Sequence, residues 1–222
     1  MVNIFVESYD LTKEYLRKQL AEYITPESRV AVIAFSFRES QISSAQEWDA
    51  LYSRDGGRYY GGIVRPLLAY GVAEDNIRFV NYFTDSCEMA AEAVRNADVV
   101  YLLGGLMDKT VERIDEFGLR EVIRKHRGVV MGYSAGALVQ LAEYHVSPDD
   151  DYPEFGYYKG LSLLDGFYLE VHYEGNPVQQ ASIQRVLKER GKPVYATADE
   201  NAAIIIDGGR VQLLGDVRRF EP

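Results

Sequence analysis

Gly128-Val129-Val130-Met131-Gly132-Tyr133-Ser134-Ala135-Gly136-Ala137 decides how the rest of the chain is read. Val129-Val130-Met131 is a short apolar run, as expected of a buried strand, and it stops at Gly132. Tyr133-Ser134-Ala135-Gly136 then completes a G-x-S-x-G pattern, and apolar residues follow at Ala137, Leu138 and Leu141. Strand, sharp turn and helix together are the setting in which this motif presents a nucleophile. The flanking glycines permit the tight bend. Ser134 would then stand at the start of a helix, beside N–H groups that stabilise negative charge. The competing reading is a Gly-rich turn with a capping serine; the strand–turn–helix context favours the nucleophile.

Composition narrows what surrounds this turn. A chain of 222 residues with 47% hydrophobic content suits one domain, residues 1–222, able to bury a large core without disulfides or a structural metal. A net charge of −10 argues against nucleic acid or an anionic membrane as the main partner, since both demand clustered Lys and Arg. Cys87 is the only cysteine, so neither an internal disulfide nor a Cys-rich metal cluster is available, and no cofactor or metal is expected. No run reaches the ~18 apolar residues of a membrane helix, and no signal-peptide pattern opens the chain. The expectation is a cytoplasmic protein.

Upstream of the turn, strand and helix signals alternate. Strands are expected at Asn3–Ser8, Arg29–Phe35, Asn76–Val80 and Val99–Leu103. Helices are expected at Leu11–Tyr23, Tyr60–Tyr70, from Asp85-Ser86 to Asn96 with Asp85 and Glu88 as a capping box, at Lys109–Glu116 and at Leu119–His126. With right-handed crossovers this order gives a parallel sheet covered by helices on both faces. Ser36–Gly57 is a long polar insert at a strand's carboxyl end, holding the only tryptophan, Trp48. Such inserts either wall a ligand site or run over the surface. Downstream, Tyr144–Gly160 is acidic, aromatic and irregular. A strand at Phe167–Val171, a helix at Val178–Arg190 and short strands at Val194–Thr197, Ala202–Ile206 and Val211–Leu214 complete the chain.

A serine needs a base, and histidine is the usual one at neutral pH. His126 falls at a helix end, at the wrong end of the strand leading to Ser134, and reads as structural. His145 reads as a helix-end or loop hydrogen bonder. His172 ends an apolar strand; if that strand runs parallel beside the one carrying Ser134, the two residues are level, which makes His172 the candidate base. For the acid that orients it, Asp151, Asp150, Glu154 and Glu170 stay open, Glu170 because strand alternation would put it on the face of His172. Ala135 and Gly105, the latter closing the adjacent strand, are the candidate oxyanion donors.

On Tyr101-Leu102-Leu103-Gly104-Gly105, Gly132–Ala137, Val171-His172-Tyr173 and Asp199–Ile204, with 38 residues from serine to histidine, the chain resembles the serine peptidases of the peptidase E and cyanophycinase family. That resemblance implies an α/β three-layer sandwich with a mostly parallel central sheet, like the class I glutamine amidotransferases (flavodoxin-like), with Ser134 at the elbow. It implies hydrolysis of small or unusual peptides through a Ser-His-acid triad and an acyl-enzyme. The Asp151-Tyr152-Pro153 segment matches the family's Asp-x-Pro context and puts Asp151 first as the acid. The expected partner is a small peptide substrate, with a homodimer as the candidate assembly. One departure stands out: Leu106-Met107-Asp108 follows Gly105 where relatives carry polar Asn-Thr or Asp-Gln, so aspartyl specificity is not carried over. A non-catalytic binding protein on the same scaffold and an esterase are the competing readings. The 38-residue interval is too short for the esterase fold.

Overall fold

In a computed structural model describing residues 1–222, the apolar runs assemble into a seven-stranded sheet. Its strands are β1 (Val2–Val6), β2 (Val30–Ile33), β3 (Ile77–Val80), β4 (Val99–Leu102), β5 (Val129–Tyr133), β10 (Ala203–Asp207) and β11 (Arg210–Leu214). They lie in the order β11-β10-β1-β5-β4-β2-β3. The five strands from β1 to β3 are parallel, while β10 and β11 are antiparallel additions. Every residue of β2 and β4 is buried. This is why they read as unbroken apolar runs: a central parallel strand is covered on both faces.

Alternation divides the core. Phe5, Ile33, Leu102, Val130 and Ile204 point to one face, toward α4 (Cys87–Asn96), α5 (Met107–Glu116), α6 (Leu119–Arg124) and the short α7 (Ala135–Leu138). Ile4, Val32, Tyr101, Met131 and Ile205 point to the other, toward α1 (Glu14–Leu20), α2 (Ala45–Tyr52) and α3 (Tyr60–Leu68). Each fully buried aliphatic side chain contributes about 1.5–3 kcal/mol by removal from water.

The second half of the chain departs from the expected order. β8 (Tyr168–Glu170) does not join the central sheet beside β5. It lies in a separate three-stranded sheet with β9 (Val194–Thr197) and β12 (Val217–Phe220), backed by α8 (Pro177–Arg190). Phe167 joins this sheet to the main core, packing edge-on against Phe5 at 6.0 Å and Tyr195 at 5.3 Å. The aromatic, irregular region forms a small hairpin, β6 (Glu143–Val146) with β7 (Gly156–Lys159). At α4 the expected capping pair is displaced by one residue. Ser86 caps, accepting from the Met89 N–H at 3.2 Å, while Asp85 accepts from Asn81 N–H and pairs with Arg78.

Candidate active site

The elbow forms where the motif requires it. Ser134, between β5 and α7, has φ 52° and ψ −117°, a conformation rare for a residue with a side chain. The flanking glycines are needed for closeness. A Cβ on Gly132 would sit 2.0 Å from the Gly136 carbonyl oxygen, and one on Gly136 would sit 2.0 Å from that of Leu102.

Register sets Ser134's neighbours. β1 pairs with β5 so that Val6 faces Tyr133, which brings Glu7 level with Ser134 on one side. β4 pairs with β5 so that Leu102 faces Gly132, which brings Gly104 level with Ser134 on the other. These are carboxyl ends of parallel strands, where open α/β sheets bind ligands.

His172 meets Ser134 at this edge: its Nε2 lies 3.0 Å from the serine Oγ. It arrives by a different route from the one expected. The chain leaves β8 at Glu170 and turns at His172 with φ 53°. The turn is fastened by Tyr173 N–H donating to the Thr197 carbonyl (2.8 Å) and by the Gln179 side chain donating to the His172 carbonyl (2.8 Å).

The carboxylate on His172 is Glu7, not Asp151. Glu7 Oε1 bonds His172 Nδ1, and Oε2 accepts from the His172 backbone N–H at 3.1 Å and from Thr197 Oγ1 at 2.5 Å. The Glu7 side chain is only 9% exposed. The bond to Glu7 raises the His172 pKa above its ordinary value, against a smaller lowering by desolvation. Asp151 instead forms an ion pair with Arg38. Asp150 and Glu154 are exposed. Glu170 points away from His172, because the turn after β8 breaks the alternation that would have put them on one face. It bonds His145 Nε2 at 2.7 Å and Ser147 Oγ at 2.8 Å. Glu7 lies 165 residues from His172 in sequence, outside the segments near or between nucleophile and base. The signal was present all the same: β1 is an apolar strand that ends on a carboxylate.

On the opposite side, Gly105 takes φ 139°, and a Cβ there would sit 2.4 Å from the Ser36 carbonyl oxygen. Its N–H makes no backbone hydrogen bond. Ser36 steers the turn, its carbonyl accepting from Leu106 N–H at 2.7 Å and its hydroxyl bonding the Gly104 carbonyl. Ser36 is in turn bracketed by the buried Arg113, whose guanidinium donates to the Phe35 and Phe37 carbonyls at 2.6 and 2.7 Å and stacks over the Phe37 ring at 3.7 Å. Tyr9 accepts from Gly104 N–H at 2.9 Å; burial pushes its phenol pKa well up, so the acceptor stays neutral.

A cavity of about 590 Å³ opens onto Ser134, Gly105 and His172. Asp151 lines it without reaching His172. His126 lies buried near the opposite end of β5, its pKa lowered chiefly by burial. No group of His, Cys, Asp and Glu side chains is arranged to hold a metal ion, and no helix is long and apolar enough to cross a membrane.

Residues 57–214 match the model of peptidase family S51. The chain belongs to peptidase family S51. It is a serine-type peptidase. Two solved structures share the fold. One is described as a peptidase E protein from Listeria monocytogenes EGD-e (17% identity, TM-score 0.66, covering 99% of this chain and 98% of the other). The second is a peptidase from an acI-B1 Actinobacterium (17% identity, TM-score 0.61, covering 99% and 93%). No curated protein matches the chain. This S51 peptidase shares its overall fold with both structures.

Proposed function

We propose that this S51 peptidase hydrolyses peptide or amide bonds of small peptides through a Ser134–His172–Glu7 triad. The observation that carries the reading is the continuous bond chain from Ser134 Oγ through the imidazole to a nearly buried carboxylate. His172 takes the serine proton as Oγ attacks the scissile carbonyl carbon. Glu7 fixes the tautomer with Nδ1 protonated and stabilises the imidazolium that forms. The oxyanion is received by the N–H groups of Gly105 and Ala135, a pair of donors of which each is worth roughly 3 kcal/mol of transition-state stabilisation. The imidazolium returns its proton to the leaving amine. Water, activated by the same base, then cleaves the acyl-enzyme. The serine–imidazole distance favours this over a non-catalytic role, which would leave the hydroxyl without a base.

The test is labelling with a fluorophosphonate probe followed by peptide mapping. Wild type should be labelled at Ser134, and Ser134→Ala should lose both label and peptide hydrolysis. Hydrolysis that survives in Ser134→Ala would sink the reading.

A further inference from the structure

A second cavity, of about 380 Å³, lies on the far side of the Gly104-Gly105 turn. Its volume falls within the range of small-molecule sites. It is built largely by the insert after β2, with Phe37, Tyr52 and Tyr59 on its walls, and by Tyr9, Leu106 and Tyr133 from the catalytic edge. Gly105 and Asp151 line both cavities. The two spaces therefore adjoin across Gly105, so a peptide bound at Ser134 has the second space within reach of a neighbouring side chain.

The chemistry of this second space is apolar. Tyr52 packs on Trp48 at 5.2 Å and on Tyr59 at 5.9 Å, and Tyr9 on Tyr133 at 4.0 Å, so the rings hold one another in place. Leu106, directly after the glycine pair, contributes aliphatic surface. The one carboxylate in the lining, Asp151, is neutralised by Arg38, which also lines the space. Arg58 alone has no carboxylate partner, and it is exposed, 5.6 Å from the centre of the Tyr59 ring. Gly62 of α3 also lines the space, and an added Cβ there would meet nothing within 4 Å.

Resting on the triad reading above, we infer that this cavity receives a bulky apolar or aromatic side chain of the substrate adjoining the scissile bond. The enzyme would then select peptides by that residue and not by an aspartyl one. An aromatic ring entering here exchanges water for contact with the tilted rings of the wall. A carboxylate would meet two exposed cations, of which Arg38 is already paired with Asp151, so selection for it would have to come from Arg58.

The experiment uses the full chain and four probe residues, Phe, Leu, Ala and Asp. Each is placed in Xaa-Gly and Gly-Xaa dipeptides and in the centre of pentaglycine analogues, with products followed by mass spectrometry. The expected result is kcat/KM for Phe and Leu peptides at least ~10-fold above Ala and Asp peptides, the scale on which a hydrophobic pocket discriminates. Gly62→Trp, which adds bulk at the cavity lining, should reduce the Phe-to-Ala ratio by ~10-fold, with fluorophosphonate labelling verifying an assembled site. Should that variant fail to fold, Leu106→Asn makes the same comparison from the opposite wall. A preference for Asp that disappears in Arg58→Gln would overturn the inference, as would a Phe-to-Ala ratio unmoved by either filling or polarising the cavity. Labelling at Ser134 without cleavage of Phe or Leu peptides overturns it while leaving the triad standing. Loss of labelling itself would instead remove the reading beneath it.

Discussion

The molecule contains two histidine–glutamate pairs within one side of the fold, and they are built alike at one end and differently at the other. In the first, His172 takes Glu7 on Nδ1 and offers Nε2 to Ser134 at 3.0 Å. In the second, His145 takes Glu170 on Nε2 at 2.7 Å, and its Nδ1 is buried with no partner. The His172 side chain is 45% exposed, the His145 side chain not at all. A carboxylate–imidazole pair is thus not in itself a catalytic device. What separates the two is whether the second nitrogen faces a nucleophile at a surface that substrate can reach. Both histidines follow or occupy short strands near the cavity, so their place in the sequence does not distinguish them.

The sharpest way to break the comparison is to neutralise the acid of the first pair. Glu7→Gln keeps the shape but removes the charge that holds the Nδ1-protonated tautomer. In triads this change costs on the order of 10³- to 10⁴-fold in kcat. Measured kcat/KM should fall by that order while thermal stability moves little. The pH profile provides a second readout. In the proposed triad, catalysis needs neutral His172, and the bond to Glu7 raises its pKa. Wild-type activity should therefore rise with pH along a limb above the ordinary histidine value of about 6.5. In Glu7→Gln that limb should shift to lower pH, because the cation has lost its stabilising partner, even as the maximum drops. A limb that stays put would mean that Glu7 does not bear on the base.

The second pair should answer in stability. Glu170 is 5% exposed and serves both His145 and Ser147. Glu170→Ala removes the partner of the buried His145 and of the part-buried Ser147, and a buried polar group left unsatisfied costs about 1–3 kcal/mol. Chemical denaturation should show that loss. Below the new melting transition kcat should fall far less than in Glu7→Gln. Equal collapse of kcat with unchanged stability would mean that the second pair takes part in the chemistry.

How much of this was legible depended on whether the determinant was local. β2, β4 and β5 could be read because burial on both faces leaves an apolar run, and the elbow because its glycines stand where an added Cβ would lie 2.0 Å from a carbonyl oxygen. The expected membership of the peptidase E-like family and an α/β fold with a mostly parallel sheet follow from those same segments. β12 was missed because Val217-Arg218-Arg219-Phe220 is mostly exposed and has no apolar run to announce it. β6 and β7 were missed because a two-stranded hairpin rich in Tyr and charge carries no alternating signal. Glu7 was missed for a deeper reason. Its nearness to His172 comes from strand order and from a loop in a second sheet, and neither is written in any one stretch. His172 itself was singled out for a strand pairing that does not occur: β8 stands outside the central sheet, and the left-handed turn at His172 does the work the pairing was expected to do.

The smallest expected effect concerns Asp151, the acid that the Asp-x-Pro context put first. Its loop is organised by Asp149, which accepts the N–H groups of Asp151 and Tyr152 at 2.8 and 2.7 Å, and its carboxylate is taken up by Arg38. Both members of that pair are partly exposed, with side-chain exposures of 44% for Arg38 and 29% for Asp151. Such pairs contribute about 0–1 kcal/mol. Asp151→Asn should accordingly leave kcat within about fivefold of wild type, the factor that 1 kcal/mol represents, and stability within the same margin. A KM change of that size is compatible with its place between the two cavities. Measured beside Glu7→Gln under identical conditions, the two variants rank the carboxylates directly. If Asp151→Asn instead loses the thousandfold and Glu7→Gln does not, the loop must swing to His172 during turnover, and the strand-end acid is a structural clamp on the His172 turn through its backbone N–H and Thr197 alone.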